Sequence, residues 1–178
     1  PAFLFIIPCA LVLSSALSCG GARTGNAPVE LRPLEENKAL DIAGSVLAEK
    51  GYQVYLNQTV TLSNGTTFSC DLRVAGKGIA IEYITAVDAS QTGPIPPPAE
   101  GSRLHVIPAT ILPPPEQLQV DPATPAENAY IFILNEDNYP YHFNPTPETR
   151  SEVTYLEVEN RLRRDLKDFL AWYENLPE

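Results

Sequence analysis

The chain has 178 residues, a formal net charge of −10 at neutral pH, 18 prolines, three cysteines and two histidines. So acidic a composition lacks the basic footprint that a phosphate backbone demands, and no nucleic acid is expected as a partner. With only His105 and His142, and cysteines at 9, 19 and 70, no zinc-type ligand spacing exists, which excludes a structural zinc.

Residues 1–22 carry no charge, and Arg23 is the first ionised side chain. Within them, residues 3–7 and 10–13 form an apolar block that gives way to small residues over 14–22. An apolar core of roughly 7–15 residues followed by small residues is the pattern of a secretory leader, whereas a spanning helix needs about 20 apolar residues. Pro8 and the serines break the run too early for a span. The basic segment and initiator methionine that open such leaders are missing, so the chain reads as starting inside its leader. The stretch Leu-Ser-Ser-Ala-Leu-Ser-Cys ending at Cys19 resembles the lipobox of bacterial lipoproteins, although Ala16 stands where leucine is commonest and Leu17 where a smaller residue is usual. The resemblance implies export, removal of a signal peptide at 1–18, and lipidation of Cys19. It further implies anchoring to a bacterial membrane, taken as the outer membrane facing the periplasm. The expected partners are that membrane, through the N-terminal lipid, and a protein of the envelope. Two or three acyl chains, at about 0.8 kcal/mol per buried CH₂, hold a protein without a spanning segment. Ordinary secretion after cleavage at Ser18, and an uncleaved anchor, remain open as alternatives.

Removing residues 1–18 from 178 leaves 160, enough for one domain with a real core. The expected organisation is a lipidated cysteine and flexible tether over 19–33, then a single α+β domain over 34–178 with a proline-rich insertion at 94–125. Cys70 is then the single remaining thiol, expected to be a buried small hydrophobe.

A helix is predicted over 33–50: Pro33 suits a first turn, Glu35 and Glu36 suit the helix dipole, and Gly51 suits the stop. Leu40, Ala43, Val46 and Leu47 share one face. Three strands follow over 53–62, 67–74 and 79–84, joined at Ser63-Asn64-Gly65 and Ala75-Gly76-Lys77-Gly78. A three-residue first loop with Gly65 left-handed pairs Val60 with Phe68 and Leu56 with Leu72, which makes an antiparallel meander with matching apolar faces. Between Pro94 and Pro125 stand ten prolines, a density that forbids helix and central strand and leaves only 103–109 for a short extended piece. Residues 129–134 read as one further buried core strand, and 139–143 as an edge. Thr146 and Pro147 suggest the cap of a long C-terminal amphipathic helix. It carries Tyr155, Val158, Leu162, Leu166, Phe169, Tyr173 and Leu176 on one stripe and a solvated charged face around Arg161, Arg163, Arg164, Asp165, Lys167 and Asp168.

The second hairpin sets Leu72 across from Ile81 and, on the other face, Asp71 across from Glu82, with Arg73 diagonal to Glu82. Two carboxylates about 5 Å apart at Cβ repel unless something positive intervenes. Arg73 makes the three a structural charge cluster. A Mg²⁺ or Ca²⁺ ion on Asp71 and Glu82 is the other answer, and no further cofactor is expected. A helix ending in Glu-Lys-Gly51-Tyr, a strand, an Asp-bearing strand and a Glu-bearing strand resemble the core of the PD-(D/E)XK, restriction-endonuclease-like nucleases. The resemblance covers residues 34–84 and the strand at 130–134. It implies that Asp71 and Glu82 are the metal-binding acids, joined by Glu36 from the first helix. Ile84 stands where that family has its catalytic lysine, and an aliphatic side chain cannot activate water. The chain is therefore expected to have no catalytic residue and a binding or structural role in the cell envelope. A divalent-metal-dependent, nuclease-like hydrolase is the alternative. Docking of partners through the proline-rich insertion is a third reading.

Overall fold

The structure, a computed structural model, describes residues 30–62, 65–91, 95–111, 127–143 and 153–177. The leader, Cys19, residues 112–126 of the proline-rich insertion and the cap anticipated at Thr146 and Pro147 lie outside the described residues. In chain order the elements are β1 (Glu30–Pro33), α1 (Glu36–Glu49), β2 (Val54–Leu62), β3 (Thr67–Val74), β4 (Ile79–Ile84), α2 (Ala86–Gln91), β5 (Val106–Ile111), β6 (Glu127–Asn135), a 3₁₀ turn (Glu136–Asn138), β7 (Pro140–Phe143) and α3 (Tyr155–Glu174). The α+β class and the C-terminal helix are as expected. The sheet is not a meander with one added strand, however: five strands close into a barrel in the order β2-β3-β4-β6-β5.

The meander itself has the anticipated register. Gly65 takes φ +85°, and β2 pairs Val60 with Phe68 and Leu56 with Leu72. Around the next turn Gly76 takes φ +65°, and β3 pairs Leu72 with Ile81. Every residue of β4 is buried, as befits a strand covered on both faces, and β6 runs parallel to it from Ile79↔Tyr130 to Ile84↔Asn135. Gly78 lets the two strands approach. A Cβ there would lie 2.2 Å from the Asn128 carbonyl oxygen, while the Gly78 carbonyl accepts the Tyr130 N–H at 2.8 Å.

Four expectations need correction. The proline-rich stretch supplies a barrel strand, β5, which pairs with β6 along its length and with β2 at Thr61↔Thr110 and Leu62↔Ala109. Pro108 is tolerated because its ladder partner Tyr130 turns its N–H toward Gly78. The pair is therefore a non-hydrogen-bonded one, and the ring nitrogen faces the side where pairing with β2 is short. The tether does not reach residue 33, since β1 pairs with β7 from Glu30↔Phe143 to Pro33↔Pro140. A six-residue helix, α2, occupies a position where no helix was expected, too short to show a period. The last helix starts at Tyr155, where Thr154 and Glu157 form a reciprocal capping box.

Two cores result. Ala39, Ile42, Ala43, Val46 and Leu47 of α1 and Val158, Leu162, Leu166, Phe169 and Leu170 of α3 cover Leu72, Ile79, Ile81, Tyr83, Phe132 and Leu134 on the outside of the barrel. The Phe169 ring stacks on Phe132 at 4.6 Å. Inside the barrel, Val60, Cys70, Ala80, Ile84, Ile107, Ile131 and Ile133 pack together. A fully buried side chain of this kind contributes roughly 1.5–3 kcal/mol of transfer free energy. Part of the charged face of α3 meets α1: Arg163 and Lys167 both reach Glu49, at 3.4 and 3.3 Å.

Candidate functional site

Along β3, Cys70 and Leu72 have the same parity yet serve different cores, Cys70 the barrel interior and Leu72 the helix-covered face. The reversal falls at Asp71. On the neighbouring strand, the residue between the pairs Leu56↔Leu72 and Gln58↔Cys70 is Asn57, which takes φ +51°. A non-glycine residue in the left-handed region marks a sharp local bend, and asparagine is among the residues that tolerate it best. Beyond it, the β2–β3 hairpin curls over to meet β5.

At that level the β3–β4 ladder pairs Leu72↔Ile81 and Arg73↔Ala80, and two side chains take over from the backbone. The Asp71 N–H donates to Glu82 Oε2 at 3.0 Å, and the Tyr83 N–H donates to Asp71 Oδ2 at 2.7 Å. The two anticipated acids are thus brought together, each satisfying an amide of the opposing strand. Glu82 is 7 % exposed, the one charged residue among the buried described residues. Burial first, then the adjacent Asp71 carboxylate, push its carboxyl up to about 8, against the weaker opposing pull of the Asp71 N–H. Burial also raises Asp71, while the Tyr83 N–H pulls it down. Near neutral pH Glu82 therefore holds its proton.

Two further acids act on the pair. Glu36, in the first turn of α1, is raised by burial and by the charges of Asp71 and Asp88. Asp88 is the acid that sequence reasoning missed. Thr85 and Asp88 cap α2 reciprocally: Asp88 Oδ2 accepts the Thr85 N–H at 3.0 Å and the Thr85 hydroxyl at 2.6 Å, and Thr85 Oγ1 accepts the Asp88 N–H at 3.2 Å. The Thr-x-x-Asp spacing was a usable signal for that helix start. Arg73, half-buried, lies in β3 with Tyr55 and Ala80 as ladder partners.

Chemically, the arrangement offers hard oxygen donors of the kind that suit Mg²⁺ or Ca²⁺. Among the described residues, no three of His, Cys, Asp and Glu are gathered so as to hold a metal ion. Ile84, at the nuclease-like lysine position, is 4 % exposed and belongs to the barrel interior. Cys70 is fully buried, and burial pushes its thiol well above the ordinary range, which makes it a small hydrophobe and a poor nucleophile. Nε2 of His105 lies 2.7 Å from the Pro96 carbonyl oxygen, and His142 lies in β7. Comparisons with protein families, with curated proteins and with solved structures find no significant match.

Proposed function

We propose that the chain is an exported lipoprotein, held to a bacterial membrane by acyl chains on Cys19, with a domain that plays a non-catalytic binding or structural role in the envelope. The observation that carries this reading is the uncharged apolar stretch of residues 1–22, which breaks into small residues immediately around Cys19. Among the described residues no helix is long and apolar enough to cross a membrane. The net charge of −10 disfavours adsorption to anionic lipid, so the acyl group would be the membrane contact. An outer-membrane site facing the periplasm, with an envelope protein as partner, belongs to the same proposal. The non-catalytic role is supported by Ile84, whose side chain is committed to the barrel core. The test is expression in a bacterium with an initiator methionine and a short basic segment ahead of Pro1. Labelled palmitate incorporated into the parent and absent from Cys19→Ala supports the reading, and equal labelling of both, or of neither, defeats it.

A second reading is a divalent-metal-dependent hydrolase with a restriction-endonuclease-like core. The apposition of Asp71 and Glu82, with Glu36 feeling the charge of Asp71 and in turn raising Glu82, favours it. So does the order α1-β2-β3-β4-α2, followed after the intervening β5 by β6, which runs parallel to β4. Calorimetry with Mg²⁺, Mn²⁺ and Ca²⁺ tests this: heat lost in Asp71→Asn favours it, and no heat from any of the three removes it.

A further inference from the structure

The charged face of α3 does not end in solvent along its whole length. Between it, the 3₁₀ turn and the segment ahead of β5 lies a cavity of about 290 Å³, whose walls include Arg103, Arg161, Arg164, Asp165, Tyr139 and His105. In a chain with 12 basic and 22 acidic side chains, three arginines and no lysine share this one space. We propose that it is a binding site for a small oxyanion, a phosphate or a carboxylate, gripped by Arg103, Arg161 and Arg164.

The protein's own Asp165 indicates how such a group would be held. Its side chain is 18 % exposed; Arg103 Nη1 approaches Oδ1 to 3.4 Å and Arg164 Nε to 3.7 Å, and the Tyr139 hydroxyl donates to Oδ2 at 3.1 Å. Two guanidinium groups and a phenol thus converge on one carboxylate. Arg103 also pairs with Asp168, and Arg161 donates through Nη1 to the Asn138 carbonyl at 3.1 Å. A guanidinium carries five N–H donors, more than these contacts engage, in a planar fork that matches carboxylate and phosphate oxygens. Phe132, buried on the outer face of the barrel, gives the cavity an apolar wall, which lowers the local dielectric and strengthens attraction to a ligand. Asp165 is the internal competitor: it holds Arg103 and Arg164 in place and weakens the field that an incoming anion meets.

That role produces opposite effects from neighbouring substitutions, which mere stabilisation of the fold does not. Calorimetry of the purified chain at physiological ionic strength would use inorganic phosphate, succinate and glycerol phosphate as probes, with vesicles containing phosphatidylglycerol in parallel. The expected result is binding of at least one probe, weakened about tenfold or more in Arg161→Gln and in Arg164→Gln, as for loss of a charged hydrogen bond. In Asp165→Asn the same probe binds several-fold more tightly, with circular dichroism unchanged. Binding of the free anions assigns a soluble ligand, and binding of the vesicles with loss of affinity in the same variants assigns a lipid headgroup. No binding by any probe overturns the proposal, as does affinity that is unchanged in both arginine variants.

Discussion

Asp71 and Glu82 stand at opposing positions of the β3–β4 register, and each carboxylate accepts an amide N–H that a strand carbonyl would ordinarily take, Asp71 N–H to Glu82 at 3.0 Å and Tyr83 N–H to Asp71 at 2.7 Å. The strands separate there because β3 must bend to close the barrel, and the side chains fill the gap. A buried amide left without a partner costs about 1–3 kcal/mol, so the acids have a structural use whether or not they also bind a ligand.

Glu82 makes stability depend on pH. Its carboxyl titrates near 8 in the folded chain, against an ordinary value of 4.5. Between those values the folded state binds more protons than the unfolded one, so stability falls as pH rises from about 4.5 to about 8 and then levels off. Glu82→Gln keeps an acceptor for the Asp71 amide without the titration. It should be more stable than the parent at pH 8, by an amount bounded at about 5 kcal/mol by the shift from 4.5 to about 8, and close to it at pH 4.5. Thermal unfolding across that range reads this out, and parallel curves for the two proteins would refute it.

Ile84→Lys, which places a lysine where the resemblance to the nucleases would require one, should destabilise the fold without creating cleavage. The side chain points among Val60, Cys70, Ile107 and Ile131, where an unpaired ammonium costs about 3 kcal/mol or more. Denaturant unfolding with a DNA-cleavage assay in Mg²⁺ checks both halves. Cleavage gained by a stably folded variant would favour the hydrolase reading instead.

Gly78→Ala should cost about 1–3 kcal/mol in urea unfolding, because its Cβ would press on the Asn128 carbonyl and force β4 and β6 apart. A second loss should follow at the amide of residue 78, which donates to the Tyr173 hydroxyl at 3.2 Å. A variant as stable as the parent would mean that the strands yield freely.

Phe169→Ala removes the ring stacked on Phe132 beneath α3 and should cost about 3–5 kcal/mol. A loss below about 1 kcal/mol in the same unfolding assay would show that the helix is not the lid of the outer core.

The meander was legible because alternation and glycine turns are local: Val60 with Phe68 and Leu72 with Ile81 follow from Gly65 and Gly76 alone. Barrel closure was not, because it rests on Thr61 meeting Thr110, a distant pairing made by a strand that contains Pro108 and has no readable period. The β1–β7 ladder and α2 are too short to stand out from their surroundings. The opposition of Asp71 and Glu82 followed from the hairpin register. The reason they are needed did not, because it lies in a bend at Asn57 that no propensity announces. The arginine-lined cavity was hidden for the same reason as the barrel: Arg103 belongs to the proline-rich stretch, and only the tertiary fold carries it to Asp165 on α3.

The proposed membrane anchor is a covalent modification of Cys19. Intact-mass analysis of the chain recovered from bacterial membranes should give a species beginning at Cys19 and heavier by a diacylglyceryl group. A chain of unmodified mass in the cytosol, with residues 1–18 still attached, would contradict the account and reopen the functions that a membrane address disfavours.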